Sequence, residues 1–534
     1  MWQDWFSRHR RKDPTPVTQQ HPGRPRGSSQ PPTLRLHAET VQTAGRLQTA
    51  SAEVDWSRQP SIYKLYPAAA RVALTEQIDC ALPDTLAVIQ QVSSQPCTPP
   101  AAWNLESVSR LCYYAYGPTA QQALPGATLT LRAAPSAGAL YPAELYLALT
   151  DAAGLHDGIY HYAPGEHALE LLRPVNGIAW LAGAAAGLAG VAAADAVCAI
   201  SSLWWRTAWK YGPRAYRYCL QDCGHLAGNV ALVAAALGYT ATLVYNFVDE
   251  PVNRLIGLHD AQETVQILVA IQATRAARAP QRGEITPPAP LSLESSPPVR
   301  PGAAVDAILP AADATTLHDP AAVQALRRCS ASPRAAPERQ ALQPPPTPLP
   351  PVKSTAPVSL CQSLLGRRSS HQFKPAPLPK NTLGAIIQAI HVATMADSAQ
   401  GALELYLIIN WVDGVAAGAY HYQAADANLV PVRSGNLSEW AMHLSLDQAF
   451  CAAAGAVIFF TANLEHLVQQ CGDRIYRNLH LEAGLRAEAA YLAAHALGVG
   501  CSGIGAFFDL ETARFFNLPE STAIVYELAI GMPV

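Results

Sequence analysis

The chain has 534 residues, of which 50% are hydrophobic and 14% charged. That length predicts two to four domains with sizeable cores and excludes a highly charged disordered chain. Lys+Arg 37 against Asp+Glu 40 leaves a net charge of −3 and a pI near 6.6, so the chain carries no general electrostatic footprint for nucleic acid.

In chain order, residues 1–55 read as a disordered or extended tail. The first fifty are polar and rich in Arg, Pro, Gln and Ser, with a basic run at Arg8–Lys12 and no apolar core of a secretory signal. Residues 56–275 form a first domain. Its only membrane-like stretch, Ile178–Ile200, is mostly Ala and Gly with Asp195 inside, which predicts a small-residue helix and a buried strand rather than a span. Eleven cysteines without a CxxC are too few and too scattered for a disulfide scaffold, and a cytoplasmic, reducing setting fits them. Cys219, Cys223 and His225 read as small buried residues on one helix face rather than as metal ligands. Residues 276–357 hold about eighteen prolines. Such density excludes helix interiors and central strands and predicts an extended linker with one short helix near Ala321–Arg328. Residues 358–534 form a second domain.

The two domains are copies. Glu144-Leu145-Tyr146-Leu147 recurs 260 residues later as Glu404-Leu405-Tyr406-Leu407, Tyr160-His161-Tyr162 as Tyr420-His421-Tyr422, and Arg214-x-Tyr216-Arg217 as Arg474-x-Tyr476-Arg477. One offset held over so long a stretch marks a duplication. A fused pair of this kind can reproduce a homodimer's two-fold interface inside one chain. Each copy predicts an apolar strand, a second strand around Tyr-His-Tyr, a short third strand, an Ala-rich helix, a buried strand, a long helix ending at Leu-Gly and a closing strand. The class is α+β, with mainly antiparallel sheets wrapped by long helices.

Three segments of the first copy carry a more specific pattern: Pro135-Ser136-Ala137-Gly138-Ala139-Leu140-Tyr141-Pro142, Gly158-Ile159-Tyr160-His161-Tyr162, and Lys210-Tyr211-Gly212-x-Arg214-Ala215-Tyr216-Arg217-Tyr218. With them the chain resembles the SagB-type (ThcOx) dehydrogenases of the nitroreductase superfamily, over about Trp103–Ile271 and Leu360–Gly531. The resemblance implies two nitroreductase-like domains forming an intrachain pseudo-dimer, with FMN bound between them. In that superfamily one subunit supplies an arginine-serine loop for the phosphate and a glycine segment near the ring, and the other supplies a Pro-Ser segment.

In this chain the parts are divided. The second copy has Arg367-Arg368-Ser369-Ser370-His371, with His371 where the pattern has a further arginine, and it has Gly503-Ile504-Gly505. Guanidiniums and a hydroxyl suit a phosphate dianion. The first copy has Leu243 and Tyr245 where the second has Gly503 and Gly505, and those side chains would fill the space a flavin needs. It alone keeps Pro135, Ser136, Ala137, Gly138 and Leu140, together with Lys210 and Tyr211; in the second copy the corresponding places hold Met395, Gly401-Ala402 and Gln470-Cys471. One complete flavin site per chain follows.

The resemblance gives Lys210 and Tyr211 the acid-base role in oxidising peptide thiazolines or oxazolines to azoles. Lys210 read on its own residues is equally a surface lysine lying over Trp205 and Trp209. Tyr160-His161-Tyr162 reads as structural, because both copies keep it, and the four arginines of the repeated motif read as interface or helix-start residues. Trp204, Trp205 and Trp209 stay open between a substrate-facing wall and core. The expected partners are a small-molecule or peptide substrate and biosynthetic partner proteins, with no nucleic acid, membrane or metal. Two other readings stay open: an NAD(P)H-dependent reductase of nitro, quinone or flavin substrates, and a flavin-poor structural partner in a peptide-modifying complex.

Overall fold

The computed structural model describes residues 30–49, 54–75, 78, 80–92, 100–124, 127–258, 262–273, 289–291, 293–297, 302–329, 347–349, 357–391, 397 and 402–534. Two antiparallel sheets carry the fold. The first contains β1 (Ala70–Ala73), β4 (Ala143–Leu149), β5 (Gly158–Ala163), β6 (Ala168–Arg173), β7 (Ala196–Leu203), β8 (Thr240–Val244) and β9 (Glu263–Gln272), in the order β1-β6-β5-β4-β7-β9-β8. A separate hairpin pairs β2 (Pro118–Leu124) with β3 (Ala127–Arg132). The second sheet repeats the first with β10 (Thr347–Pro348), β12 (Glu404–Ile409), β13 (Gly418–Gln423), β14 (Asn428–Ser434), β15 (Ala456–Ala462), β16 (Gly500–Ile504) and β17 (Ala523–Pro533), and adds β11 (Phe373–Lys374) at the far end of β17. Small and apolar residues fill both central strands, Val197, Ile200 and Leu203 with Ala, Cys and Ser in β7 and Val457, Ile458, Phe459 and Phe460 in β15, and both strands are buried along their whole length.

The helices that place the site are α1 (Pro32–Glu39), α2 (Thr85–Gln91), α3 (Leu105–Tyr116), α4 (Trp205–Tyr211), α5 (Ala215–Ala236), α6 (Asp249–Ile256), α7 (Ala303–Ala314), α8 (Pro320–Arg328), α9 (Leu360–Gly366), α10 (Lys380–His391), α11 (Leu464–Cys471), α12 (Arg474–Ala496) and α13 (Asp509–Phe515). The stretch around Ile178–Ile200 resolves into the short helices Ile178–Ala184 and Ala189–Ala192 followed by β7. Among the described residues no helix is long and apolar enough to cross a membrane.

Two expectations need correction. Residues 1–55 are not extended throughout. Pro32 starts a helix whose Thr33 and Leu36 are buried; Met1–Ser29, including Arg8–Lys12, lie outside the described residues. Within 276–357, α8 stands where one short helix was expected, but α7 forms as well despite Pro310, because Val305, Ile308 and Ala311 bury one face. The scatter of the cysteines also hid two pairings. Cys80–Cys361 and Cys329–Cys471 are bridged across 281 and 142 residues of sequence, with Cα atoms 5.6 and 6.0 Å apart. Cys219 and Cys223 are buried and unbridged, as expected.

The duplication reaches further than the motifs. α1 and Thr40 correspond to the end of α7 and Thr315, α2 to α9, and α3 to α10, all at an offset of 275; after α3 the offset is 260. The fifteen-residue hairpin Pro118–Arg132 accounts for the change.

The copies face each other about a pseudo-two-fold axis, and the contacts come in reciprocal pairs. Arg214 and Arg217 hold Asp509 at 2.9 and 2.7 Å, while Arg474 and Arg477 hold Asp249 at 2.7 and 2.7 Å. Arg214 also donates to the carbonyls of Thr40 and Gly505, and Arg474 to those of Thr315 and Tyr245. Tyr216 stacks on its own counterpart, Tyr476, with ring planes 4° apart. The long helices α5 and α12 cross at Gly224 and Gly484, counterparts once more. A Cβ at Gly224 would overlap the Leu481 carbonyl oxygen, and one at Gly484 the Gln221 carbonyl oxygen. The four arginines are therefore interface residues, as their presence in both copies suggested.

Candidate active site

The first wall is the turn between β3 and β4. Ser136 Oγ donates to Asp222 Oδ2 at 2.5 Å and accepts from the Tyr141 N–H at 2.8 Å, and the Ala137 N–H donates to Asp222 Oδ1 at 3.3 Å. Pro135 is half-buried and Leu140 buried. Gly138 has φ +64°, a conformation that only glycine adopts without strain. A Cβ there would stand 2.6 Å from Tyr211 Oη and 3.1 Å from Lys210 Nζ, so the last turn of α4 lies directly over the Pro-Ser turn. Burial pulls the Lys210 pKa down and pushes that of Tyr211 up. Lys210 Nζ lies 5.8 Å from the centroid of the Trp56 ring and 5.1 Å from that of Tyr211. Trp204 is wholly buried and Trp209 donates its indole N–H to Asp55 O. Asp222 sits inside on α5, and burial raises its carboxyl to about 7 in spite of its two hydrogen bonds.

The second wall follows α9. Arg367 donates to Ala133 O at 3.0 Å and Arg132 O at 3.2 Å, two or three residues from Pro135. Arg368 donates to the carbonyls of Leu365, Arg367 and Thr119. The hairpin found only in the first half thus grips both arginines by backbone oxygens. Among the described residues neither guanidinium pairs with a carboxylate. The Ser370 N–H donates to Cys501 O at 3.0 Å, which lays the loop along β16. Ser369 Oγ is 3.0 Å from Tyr491 Oη, and the Gly503 N–H donates to that same oxygen. His371 is exposed, and desolvation of its ring lowers its pKa, so it adds no charge at pH 7.

Side chains from both halves join the walls. The Tyr218 ring lies where a Cβ on Gly505 would go, and it meets Tyr211 edge-on at 5.2 Å. Tyr526 Oη covers Gly503 and is 3.0 Å from His225 Nε2; His225 Nδ1 is 2.8 Å from Glu488 Oε2. Ile504, between the two glycines, is buried. The Pro-Ser turn, Lys210 and Tyr211 thus meet Arg367, Arg368, Ser369, Gly503 and Gly505 along one seam, while the His371 ring lies edge-on to Phe450 at 5.8 Å. The expectations drawn from the sequence missed Asp222, Tyr218, His225, Glu488, Tyr491 and Tyr526. A signal existed: their counterparts are Glu482, Asn478, Leu485, Gly228, Ala231 and, by the register of the closing strands, Ile267, so all six differ between copies that keep their structural residues.

The mirror position is filled by protein. Tyr245 and Leu243 are buried where Gly505 and Gly503 stand, and Tyr245 Oη donates to Glu482 Oε2 at 2.6 Å. Asp397 accepts from the backbone of Tyr245 and pairs with Arg327 at 2.8 Å. Met395 and Gly401 lie outside the described residues. Tyr160-His161-Tyr162 is structural: His161 is buried between Glu144 and Glu170 at 3.2 and 2.8 Å.

The Nitroreductase family pattern matches residues 117–271 and 364–532, more than half of the chain. The chain belongs to the nitroreductase family. It carries two nitroreductase-family domains, which form the pseudo-dimer described above. The nitroreductase candidate MJ1384 of Methanocaldococcus jannaschii is 31% identical over 172 residues, covering 32% of this chain and 80% of that protein. A nitroreductase candidate from Anabaena variabilis, solved at 1.80 Å, is 26% identical with a TM-score of 0.76; the match covers 95% of this chain and all of that one, so the doubled nitroreductase architecture is shared end to end. A further nitroreductase candidate from Ralstonia eutropha covers 39% of this chain and 90% of its own, at 20% identity and a TM-score of 0.32. As a nitroreductase-family chain the protein falls in an oxidoreductase class. Among the described residues no group of three or more His, Cys, Asp or Glu could hold a metal.

Proposed function

We propose that the seam binds one FMN and that the protein is a dehydrogenase of peptide thiazolines or oxazolines. The observation that carries the cofactor is the donor set. Arg367 and Arg368 present two cations without carboxylate partners beside the Ser369 hydroxyl, which is chemistry for a phosphate dianion. The exposed Gly138 and half-buried Ser136 and Ala137 offer backbone that a flat ring can approach, with Tyr526 and Tyr218 standing over Gly503 and Gly505. The residues present fit the group. Arg367, Arg368 and Ser369 would hold the phosphate end, with His371 as a neutral donor. Pro135, Ser136, Ala137, Gly138 and Leu140 would back one side of the ring, and Gly503, Ile504 and Gly505 the other.

FMN, when bound, supplies the acceptor for a hydride. The chain's own residues do the rest. Lys210, its pKa lowered by burial, takes the proton from the carbon next to the hydride donor, and Tyr211 Oη orients it from across Gly138. Asp222 fixes the Pro-Ser turn. The buried Glu488–His225–Tyr526 relay holds the hydroxyl against Gly503 and keeps water from that backbone. The substrate class rests on the Pro-Ser-Ala-Gly-Ala-Leu-Tyr-Pro and Lys-Tyr-Gly resemblance. With it come domain bounds at 56–275 and 358–534, biosynthetic partner proteins and a cytoplasmic setting.

The test is anaerobic. A synthetic thiazoline peptide is mixed with the purified protein. Bleaching of the flavin band together with thiazole formation supports the reading. The family's description as nitroreductases favours a second reading, and NADPH bleaching the band when the thiazoline does not would establish it.

A further inference from the structure

We propose that a second cavity, at the first turn of α4, binds a small organic monoanion: a carboxylate carried on an apolar body. The cavity is about 250 Å³ and, among the described residues, is lined by three cations, Arg58, Lys64 and Arg206, and by no acidic side chain. Leu203, Trp205 and Pro297 give it apolar walls, and Ser61 and Ser295 add hydroxyls. Cations with hydroxyls and no acid select an anion; apolar walls select one with a hydrocarbon part over an inorganic ion.

The charge balance sets the valence. Lys64 Nζ is 2.6 Å from Glu263, and Arg206 Nη1 is 2.5 Å from Glu144, both carboxylates buried behind the cavity lining. Each of these pairs is neutral. Arg58 has no carboxylate partner among the described residues; its guanidinium lies 5.0 Å over the Trp205 ring. The nearby Asp55 carboxylate accepts from the N–H and Oγ of Ser57 and stands outside the lining. One positive charge is left over, which matches a carboxylate and not a phosphate dianion. Arg206 is held in the lining by its bond to Tyr141 O at 2.9 Å as well as by Glu144.

The position adds a role. Arg206 and Lys210 are four residues apart on α4 and so share a face, with Cβ atoms roughly 6 Å apart. A carboxylate held at Arg206 is anchored on the helix that carries the lysine of the candidate active site. The cavity would select substrates bearing a free acid, whether a peptide C-terminus or a small organic acid. Its ligand binding does not depend on the flavin reading.

Calorimetric titration of the full chain with N-acetyl-L-phenylalanine and its amide tests this. The acid is expected to bind, with the amide and inorganic phosphate each weaker by at least about tenfold, as loss of one charge-assisted contact implies. Arg58→Ala is expected to weaken the acid by about tenfold with thermal unfolding unchanged, because Arg58 is exposed. Competition by free acetate separates the two ligand sources: a small organic acid site is displaced by it, whereas a peptide C-terminus site keeps the larger acid. Equal binding of acid and amide, phosphate binding more tightly than the acid, undiminished binding to Arg58→Ala, or no binding at all would each overturn the proposal.

Discussion

Lys210 touches the Pro-Ser turn through Gly138, and Asp222 holds that turn from below. The two residues give separable signatures. Lys210→Ala leaves the phosphate donors and both glycine segments intact, so flavin absorbance should stay while turnover falls by about 10²–10⁴-fold, the usual worth of a positioned acid or base; steady-state kinetics on flavin-loaded protein checks this. Asp222 is read through pH. Its folded-state pKa is raised from 3.8 to about 7, so between those values the folded protein holds a proton that the unfolded chain has released. The contribution of this carboxyl to stability is therefore greatest at low pH, falls as pH rises through about 4 to 7, and is level above that. Thermal melting of the parent minus that of Asp222→Asn should decline across this window. A flat difference would mean that the carboxyl is ionised throughout.

The helix pair α5 and α12 is the element on which both sites depend. Its crossing needs glycine twice, because carbonyl oxygens of the opposite helix occupy the Cβ positions of Gly224 and Gly484. Backbone cannot yield as a side-chain tip can. Gly224→Val should cost at least about 1–3 kcal/mol and lower the denaturant midpoint of the whole chain, while valine at the exposed Gly414, itself a positive-φ position, offers a comparison without the crossing. The sequence shows why these helices are legible at all. Arg214 and Arg474 mark their starts and Leu237-Gly238 and Leu497-Gly498 their ends, as the observed bounds confirm to within a residue. The arms α1 and α7 were not legible. They lie in segments whose prolines and polar residues suggest extended chain, and they hold because Thr40 O and Thr315 O accept from Arg214 and Arg474, the long-range interface arginines of their own copies, a contact no local pattern announces. The candidate site divides the same way. Its glycines and arginines stand in recognisable motifs, whereas Asp222, His225 and Tyr526 sit singly on long apolar elements and acquire meaning only once the two halves are placed together.

The whole molecule is a dimer that has become asymmetric. Its structural contacts remain paired: two arginine clusters on two aspartates, two glycines at one crossing, one tyrosine stacked on its copy. The residues of the proposed flavin site stand at one seam only. Where one half has Gly505 under the Tyr218 ring, the other has Tyr245 bonded to Glu482, which leaves that seam filled with side chain. A chain built in this way should carry a single flavin and need no second subunit to hold it. The most direct measurement is flavin released by denaturation, quantified against protein and paired with mass in solution. The account predicts one FMN per 56.9 kDa chain; two per chain, or none after reconstitution with excess FMN, would contradict it.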